Sequence, residues 1–359
     1  MASMYVVVMA GGGGTRLRPL STAARPKPFL PLLDTGETLL QRTVRRLEGL
    51  VDPGDVFVVA APGYAPLIAA QVPGTRVVVE PEARNTAAAI ALAAMAIDRP
   101  VDDVMVVLPA DHYIEREDVF RGVLRDVADG LAGGALDVSA PLVTLGVQAT
   151  YPATQYGYLI PDLDRQAVIE RQQAYVLEAF REKPPLEDAE RLYRSPGVAW
   201  NAGMFLWRRD AIREALATWA PDVLDAVTRG LTDGDIASAY ATIAPRSIDY
   251  AVMEPAAAAG RVLMAAMDVG WTDVGTWSVL LEVLGAVGIE AGVVEAGAET
   301  ATARGDLVID RDDRGLVVLE VSDATMTPER PVALLRGARS AGTLVQALLD
   351  RCAAAEGRT

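Results

Sequence analysis

Cysteine and histidine are almost missing from this 359-residue chain, each occurring once, as Cys352 and His112. A lone cysteine excludes an intramolecular disulfide and a thiolate zinc site, and a lone histidine excludes His-rich metal sites. Positive charge is also short. Lys and Arg total 33 against 48 Asp and Glu, a net charge of −15, which argues against a protein that neutralises nucleic-acid phosphates over a broad surface. Small anionic substrates stay open, because a local cationic pocket can sit in an acidic protein. No apolar run reaches membrane-spanning length, and Met1-Ala2-Ser3 opens no signal-peptide pattern. A soluble cytoplasmic enzyme that engages neither nucleic acid nor membrane is the expectation. What the chain has in quantity is apolar residues, 51% of the total, enough for one large α/β domain plus a small appendage.

The stretch Val6 to Leu32, VVVMAGGGGTRLRPLSTAARPKPFLPL, organises the rest. Its apolar, β-prone start reads as a buried parallel strand. Gly11, Gly12, Gly13 and Gly14 follow, where backbone N–H groups can approach a ligand closely and form a concave anion site. Arg16 and Arg18 add positive charge, and Lys27 adds more between Pro26 and Pro28, which limit local backbone freedom. A strand, a glycine turn and cations point to a nucleoside triphosphate. The loop is neither a Walker loop nor a dinucleotide fingerprint, since no Gly-Lys-Ser/Thr follows and the glycines lead to Thr15-Arg16-Leu17 and Pro19 rather than directly into a helix.

Along the chain, Thr38 and Gln41 form a capping box before a helix, and strands are expected at 56–60, 77–80, 104–108 and 142–147. Asn85 suits the N-cap of an Ala-rich helix over 86–97. Alternating strands and helices over some 150 residues give a parallel, doubly wound sheet with ligands beyond the strands' carboxyl ends. Later segments mix a loop into a short strand (150–160) and strands (175–181, 203–207, 262–267) with helices (210–219, 221–243, from 276). After Val287 the pattern turns to short β-prone runs and a final helix, 342–355, so the boundary is placed between a catalytic domain, 1–287, and a small β-rich domain, 288–359.

Asp111, in LPADH at a strand end, is a natural Mg²⁺ ligand or a turn-forming aspartate. Asp273 sits in GWTDVGTW. In EPEARNTAAAI, Glu80, Arg84 and Asn85 are candidates to read a guanine edge, and simple helix capping by Asn85 is equally compatible. The motifs EKP (182–184), WNAGMFLW (200–207), TQYGYL (154–159) and SIDYAVME (247–254) complete the set.

The string AGGGGTRLRPLS…RPKPFLPL resembles the signature of the sugar-nucleotide pyrophosphorylases, and EPEARNTAAAI resembles their mannose-1-phosphate guanylyltransferase branch. The resemblance covers about residues 5–285. It departs at Arg18, where Trp is expected, at Gln155, and at Pro255, where Lys is expected. It implies a Rossmann-like doubly wound mixed sheet of the nucleotide-diphospho-sugar transferase type. It also implies transfer of GMP from GTP to mannose 1-phosphate with Mg²⁺. Residues 11–16, Glu80, Arg84, Asn85, Thr86 and Asp111 would then serve the nucleotide; Gly157, Glu182, Lys183 and Asn201 the sugar phosphate; and Asp111 and Asp273 the metal. Arg16, Lys27, Asp111 and Lys183 would be the catalytic charges. Another sugar such as heptose 1-phosphate, another nucleotide, or a non-catalytic sugar-nucleotide-binding subunit are the alternatives. A glycosyltransferase is a further one, for which Asp310-Arg311-Asp312 has the letters of a metal motif. The tail is expected to pack on the catalytic domain or on a second subunit, which allows a homodimer.

Overall fold

The computed structural model describes residues 3–12, 14–133, 138–313, 315–321 and 323–357. By its contacts the chain divides into two compact units: Met1–Gly11, Arg46–Pro109 and Ile114–Trp271 in the first, and Gly12–Arg45, Ala110–Tyr113 and Thr272–Thr359 in the second. The expected cut at 287/288 therefore falls inside the second unit.

The first unit is built on a nine-stranded mixed sheet. From one edge its strands are Arg76–Val79, Val56–Ala60, Met4–Met9, Val104–Pro109, Ala199–Arg208, Leu142–Gln148, Val262–Met267, Gln172–Arg181 and Tyr158–Ile169. The first four run parallel, with Val6 opposite both Val56 and Val106. The continuous apolar runs of the three inner ones bury both faces, as parallel strands require, while the edge strand Arg76–Val79 stays partly exposed. Alternation along a strand sends Tyr5, Val7, Met105 and Val107 to one face, where they join the helices Asn85–Ala96, Arg209–Trp219 and Pro221–Asp233 in one core. The Ala-rich helix is buried from Ala87 to Ala94, a helix apolar all round and accordingly enclosed.

The expected parallel succession stops at Val104–Pro109. The strand Leu142–Gln148 joins the sheet, but Ala199–Arg208 is inserted between the two and is antiparallel to both. Residue pattern fixes which segments are strands; it carries no record of which later strand will enter between two earlier ones. The helix expected over 221–243 breaks at Gly234, which has φ 74°, and restarts at Ile236, capped by Asp235 accepting from Ser238 N at 3.1 Å.

The second unit joins the glycine-loop segment to the C-terminal strands. Glu290–Val294, Val332–Arg336, Asp306–Asp312 and Gly315–Val321 form an antiparallel sheet in that order. Leu17, Leu20, Leu30 and Leu32 share a core with Trp277, Leu307, Ile309, Leu335 and, from the helix Gly342–Glu356, Val345 and Leu348. Among its described residues, segment 12–45 has one short α-helix, Leu39–Arg45, and no strand of its own, so its leucines need this outside surface. The capping box forms as expected: Thr38 N donates to Gln41 Oε1 at 2.9 Å and Gln41 N to Thr38 Oγ1 at 3.2 Å. Among the described residues no helix is long and apolar enough to cross a membrane.

Candidate active site

In the second unit, the glycine loop is pressed against Lys27. Gly14 has φ 58°, and a Cβ there would lie 2.6 Å from Lys27 Cβ, so only glycine fits. Gly11 and Gly12 show neither a positive φ nor a forbidding contact, and Gly13 lies outside the described residues. Thr15–Leu17 is a 3-10 turn, and Ser21 Oγ donates to Gly14 O at 2.5 Å. Arg16 is exposed and has no ion-pair partner among the described residues. Lys27 is buried, pairs with Asp111 Oδ2 at 2.9 Å and donates to the Asp273 carbonyl. Burial opposes charge on Asp111, but the Lys27 ammonium and His112 outweigh it and hold the carboxyl below the usual range. Asp273 Oδ1 accepts from Gly275 N at 3.0 Å.

In the first unit, Glu80 is buried. Its Oε1 accepts from Tyr240 Oη at 2.9 Å and from Arg84 N at 3.4 Å. Burial raises its pKa against these two hydrogen bonds. A Cβ on Gly11 would stand 3.5 Å from the other oxygen, Oε2. Arg84 pairs through its guanidinium with Glu82 at 2.7 Å. Asn85 does not take the expected N-cap position. It is the first helical residue, with φ 68° and its Oδ1 accepting from Thr86 N at 2.8 Å; asparagine tolerates this left-handed backbone. The helix start is satisfied instead from segment 246–248: Ala87 N donates to Arg246 O at 3.2 Å, and Ile248 N donates to Thr86 Oγ1 at 2.8 Å.

That segment leads to a second cluster of the same unit. Lys183 Nζ donates to Glu182 Oε1 at 2.6 Å. Burial disfavours the Lys183 charge, but the Glu182 bond and charge overcome it and raise its pKa. A Cβ on Gly157 would lie 2.5 Å from Glu182 Oε2, so glycine leaves room for the carboxylate. Glu182 N donates to Glu254 Oε1 at 2.9 Å, and Tyr250 Oη donates to Glu182 O at 3.3 Å. Asn201 Nδ2 donates to Asp249 Oδ1 at 2.9 Å, and its Oδ1 accepts from Thr144 Oγ1 at 2.8 Å and Gly203 N at 3.1 Å.

Gly157, Glu182, Lys183 and Asn201 thus come together, as do Glu80, Arg84, Asn85 and Thr86, and so do Gly14, Lys27, Asp111 and Asp273. Tyr240, Thr144 and Asp249 were not assigned from sequence. Asp249 carried a signal, since it lies in SIDYAVME; Tyr240 and Thr144 lie in no quoted motif. Among the described residues five non-glycine positions have positive φ, and three of them are Asn85, Lys183 and Val274, the last beside Asp273. Backbone held in sparsely populated regions clusters at functional sites, and a β-branched residue there is an outlier. Asp310 and Arg311 serve a different end. The Asp310 carboxylate is paired with Arg330 at 2.8 Å and 3.0 Å, and Arg311 holds Glu356 at 2.9 Å and the Pro19 carbonyl at 3.2 Å, so these two residues tie parts of the second unit together.

Buried or paired cations, glycine-shaped approaches and few titratable bases describe enzymes that pass a nucleotidyl group between phosphates. Residues 5–288 match the Nucleotidyl transferase family, and the chain belongs to it. The mannose-1-phosphate guanylyltransferase of Escherichia coli strain K12 is 36% identical over 354 residues, 92% of this chain and 71% of that protein. The mannose-1-phosphate guanylyltransferase ManC of Salmonella typhimurium is 38% identical over 301 residues, 78% of this chain and 59% of that protein. The crystal structure of a mannose-1-phosphate geranyltransferase from Thermus thermophilus aligns with TM-score 0.68 at 33% identity, covering 79% of this chain and 80% of that one. The chain spans between about half and seven-tenths of the length of the first curated relatives it matches.

Proposed function

We propose that this protein transfers GMP from GTP to α-D-mannose 1-phosphate, giving GDP-mannose and pyrophosphate. The observation that carries the reading is the Glu182–Lys183 pair beside Gly157 and Asn201, a carboxylate for hydroxyls next to an ammonium for phosphate, in a chain whose relatives are named for this reaction. A phosphate oxygen of the sugar phosphate attacks the α-phosphorus of GTP, the bond from that phosphorus to the bridging oxygen breaks, and pyrophosphate leaves with the electron pair. The attacking phosphate has a second pKa of about 6 and is ionised at neutral pH, so no general base is needed. Catalysis is then positioning and charge stabilisation. Arg16 would meet the triphosphate, Lys27 would hold Asp111 and the Asp273 carbonyl in place and stabilise the α-phosphate region, and Lys183 would steer the sugar phosphate. The Oε2 of Glu80 is its oxygen left for the base, since Oε1 is held by Tyr240 and the Arg84 amide.

Nucleotidyltransferases of this family commonly use a divalent metal, and the residues present fit Mg²⁺. Asp111 and Asp273 are brought to one place by Lys27. Among the described residues no three His, Cys, Asp or Glu side chains gather as a ready-made cage. Mg²⁺ takes one or two carboxylates and fills its shell with substrate phosphates and water. Asp111 and Asp273 would hold it, and when bound it supplies neutralising charge to the triphosphate. A cytoplasmic setting belongs to the same proposal, in keeping with a single, buried, unpaired cysteine.

The test is pyrophosphate release with GTP, ATP, UTP and dTTP against mannose, glucose and heptose 1-phosphates, with and without excess chelator. GTP with mannose 1-phosphate is expected to give the highest kcat/KM, and chelator to abolish turnover. A different preferred pair would overturn the substrate assignment, and full turnover in chelator would overturn the metal.

A further inference from the structure

The hydrogen bonds of Asn201 leave its side chain one orientation. Its oxygen accepts twice, from the Thr144 hydroxyl and the Gly203 amide, and one amide hydrogen goes to Asp249 Oδ1. One N–H remains, so towards a ligand Asn201 can donate and not accept. Two carboxylates, Glu182 and Asp249, and one ammonium, Lys183, face each other here beside a third carboxylate, Glu254, whose Oε1 accepts from the Glu182 amide, and Lys183 is committed to Glu182. A sugar phosphate that draws Lys183 away brings at least one further negative charge to the pair of carboxylates.

Resting on the sugar-phosphate reading above, we propose that Asp249 is the positioning residue of this subsite. It fixes which hydrogen Asn201 offers to the sugar, and it takes a proton from solvent onto Oδ2 when Lys183 leaves Glu182 for the arriving phosphate. The surroundings support the second half. Burial first, and then the Glu182 charge, raise the Asp249 carboxyl to about 7, with Lys183 and Ser247 acting the other way. The groups facing it from neighbouring elements are Glu182 and Lys183 after one strand and Asn201 on another. On its own segment, Tyr250 and Glu254 hold the backbone of Glu182. Of the packed helices, Asn85–Ala96 carries no charged residue, and the charges of Arg209–Trp219 are turned elsewhere. Arg209 bonds the carbonyls of Ala94 and Arg99, Asp210 pairs with Arg208, Arg213 acts on Tyr5, and Glu214 pairs with Arg261. Departure of Lys183 removes the nearest opposing charge, so the carboxyl titrates higher in the complex than in the free enzyme. Protons are then taken up on binding above pH 7, and little at pH 6, where Asp249 already carries one.

Calorimetric binding of mannose 1-phosphate to the full chain, in two buffers of different ionisation enthalpy at pH 6 and pH 8, measures that uptake. At pH 8 the wild type should take up on the order of half a proton more than Asp249→Asn, and at pH 6 the two should agree. Asp249→Asn keeps the acceptor for Asn201, so its KM for mannose 1-phosphate should be flat above pH 7 where the wild-type KM rises. Asp249→Ala removes the acceptor and should raise that KM roughly tenfold, with the KM for GTP within about twofold as the check on folding. Equal proton uptake in wild type and Asp249→Asn, or equal rises in both KM values for Asp249→Ala, would overturn the inference while leaving the substrate reading standing. Failure of the wild type to bind mannose 1-phosphate would sink both.

Discussion

Lys27, in the second unit, has a side chain 6% exposed, with its ammonium held by the Asp111 carboxylate and the Asp273 carbonyl; Lys183, in the first unit, is 56% exposed and hydrogen-bonds one carboxylate, Glu182. They are the only lysines in the chain, every other basic residue among the 33 being arginine. Arginine brings a wide planar fork, lysine a compact charge on a flexible stem. Lys27 needs compactness, because its buried ammonium is held between the Asp111 carboxylate and the Asp273 carbonyl. Lys183 needs the stem, because an exposed ammonium can exchange a carboxylate for a phosphate. One lysine is a fixed charge and the other a movable one, and the difference comes from burial and partner number rather than residue type.

The largest expected effect comes from removing what holds the fixed side in place. Deleting residues beyond 287 strips Leu307, Ile309, Leu335, Val345 and Leu348 from the core that buries Leu17, Leu20, Leu30 and Leu32. Each such leucine is worth about 1.5–3 kcal/mol when buried. Turnover should vanish, and hydrogen exchange should become fast over 14–45 while the strands of the nine-stranded sheet stay protected. A truncate with native melting temperature and unchanged turnover would erase the distinction between the two units.

Next in size is Lys27→Met. It leaves Asp111 without its ammonium in a partly buried place, at a cost of about 1–3 kcal/mol in unfolding free energy by denaturant titration, and kcat should fall by about 10²-fold or more. Lys27→Arg should not restore kcat, since the longer, wider fork cannot take the buried position of the ammonium between Asp111 and the Asp273 carbonyl; full rescue would mean that charge alone matters there. The smallest effect is expected for Arg311→Ala, which frees the Pro19 carbonyl and Glu356 on the surface side of the same unit. The loss should be about 1 kcal/mol of stability, with a larger change in the KM for GTP than in that for the sugar phosphate. The reverse order would detach Arg311 from the glycine-loop side.

Much of this was legible in the sequence. The strands of the parallel half, the capping box of Thr38 and Gln41, and the residues of each motif could be read because they depend on local pattern. Membership of the units could not. Leucines 17, 20, 30 and 32 read only as apolar positions in a proline-rich loop, and nothing local says that their partners lie some 300 residues on. The insertion of Ala199–Arg208 between two earlier strands is hidden for the same reason. Asp249 and Tyr240 show a third limit. A buried hydrogen-bond partner that orients another side chain, as acceptor (Asp249) or donor (Tyr240), has no spacing signature, and it becomes visible only when the hydrogen bonds of Asn201 and Glu80 are traced to their ends.

The most direct test of the two-lysine account is steady-state kinetics of Lys183→Ala with GTP and mannose 1-phosphate both varied. The account predicts a KM for mannose 1-phosphate raised by about 1.5–3 kcal/mol, roughly ten- to a hundredfold, the worth of one charge-assisted phosphate contact, with the KM for GTP unchanged. A rise confined to GTP, or equal rises for both substrates, would contradict it.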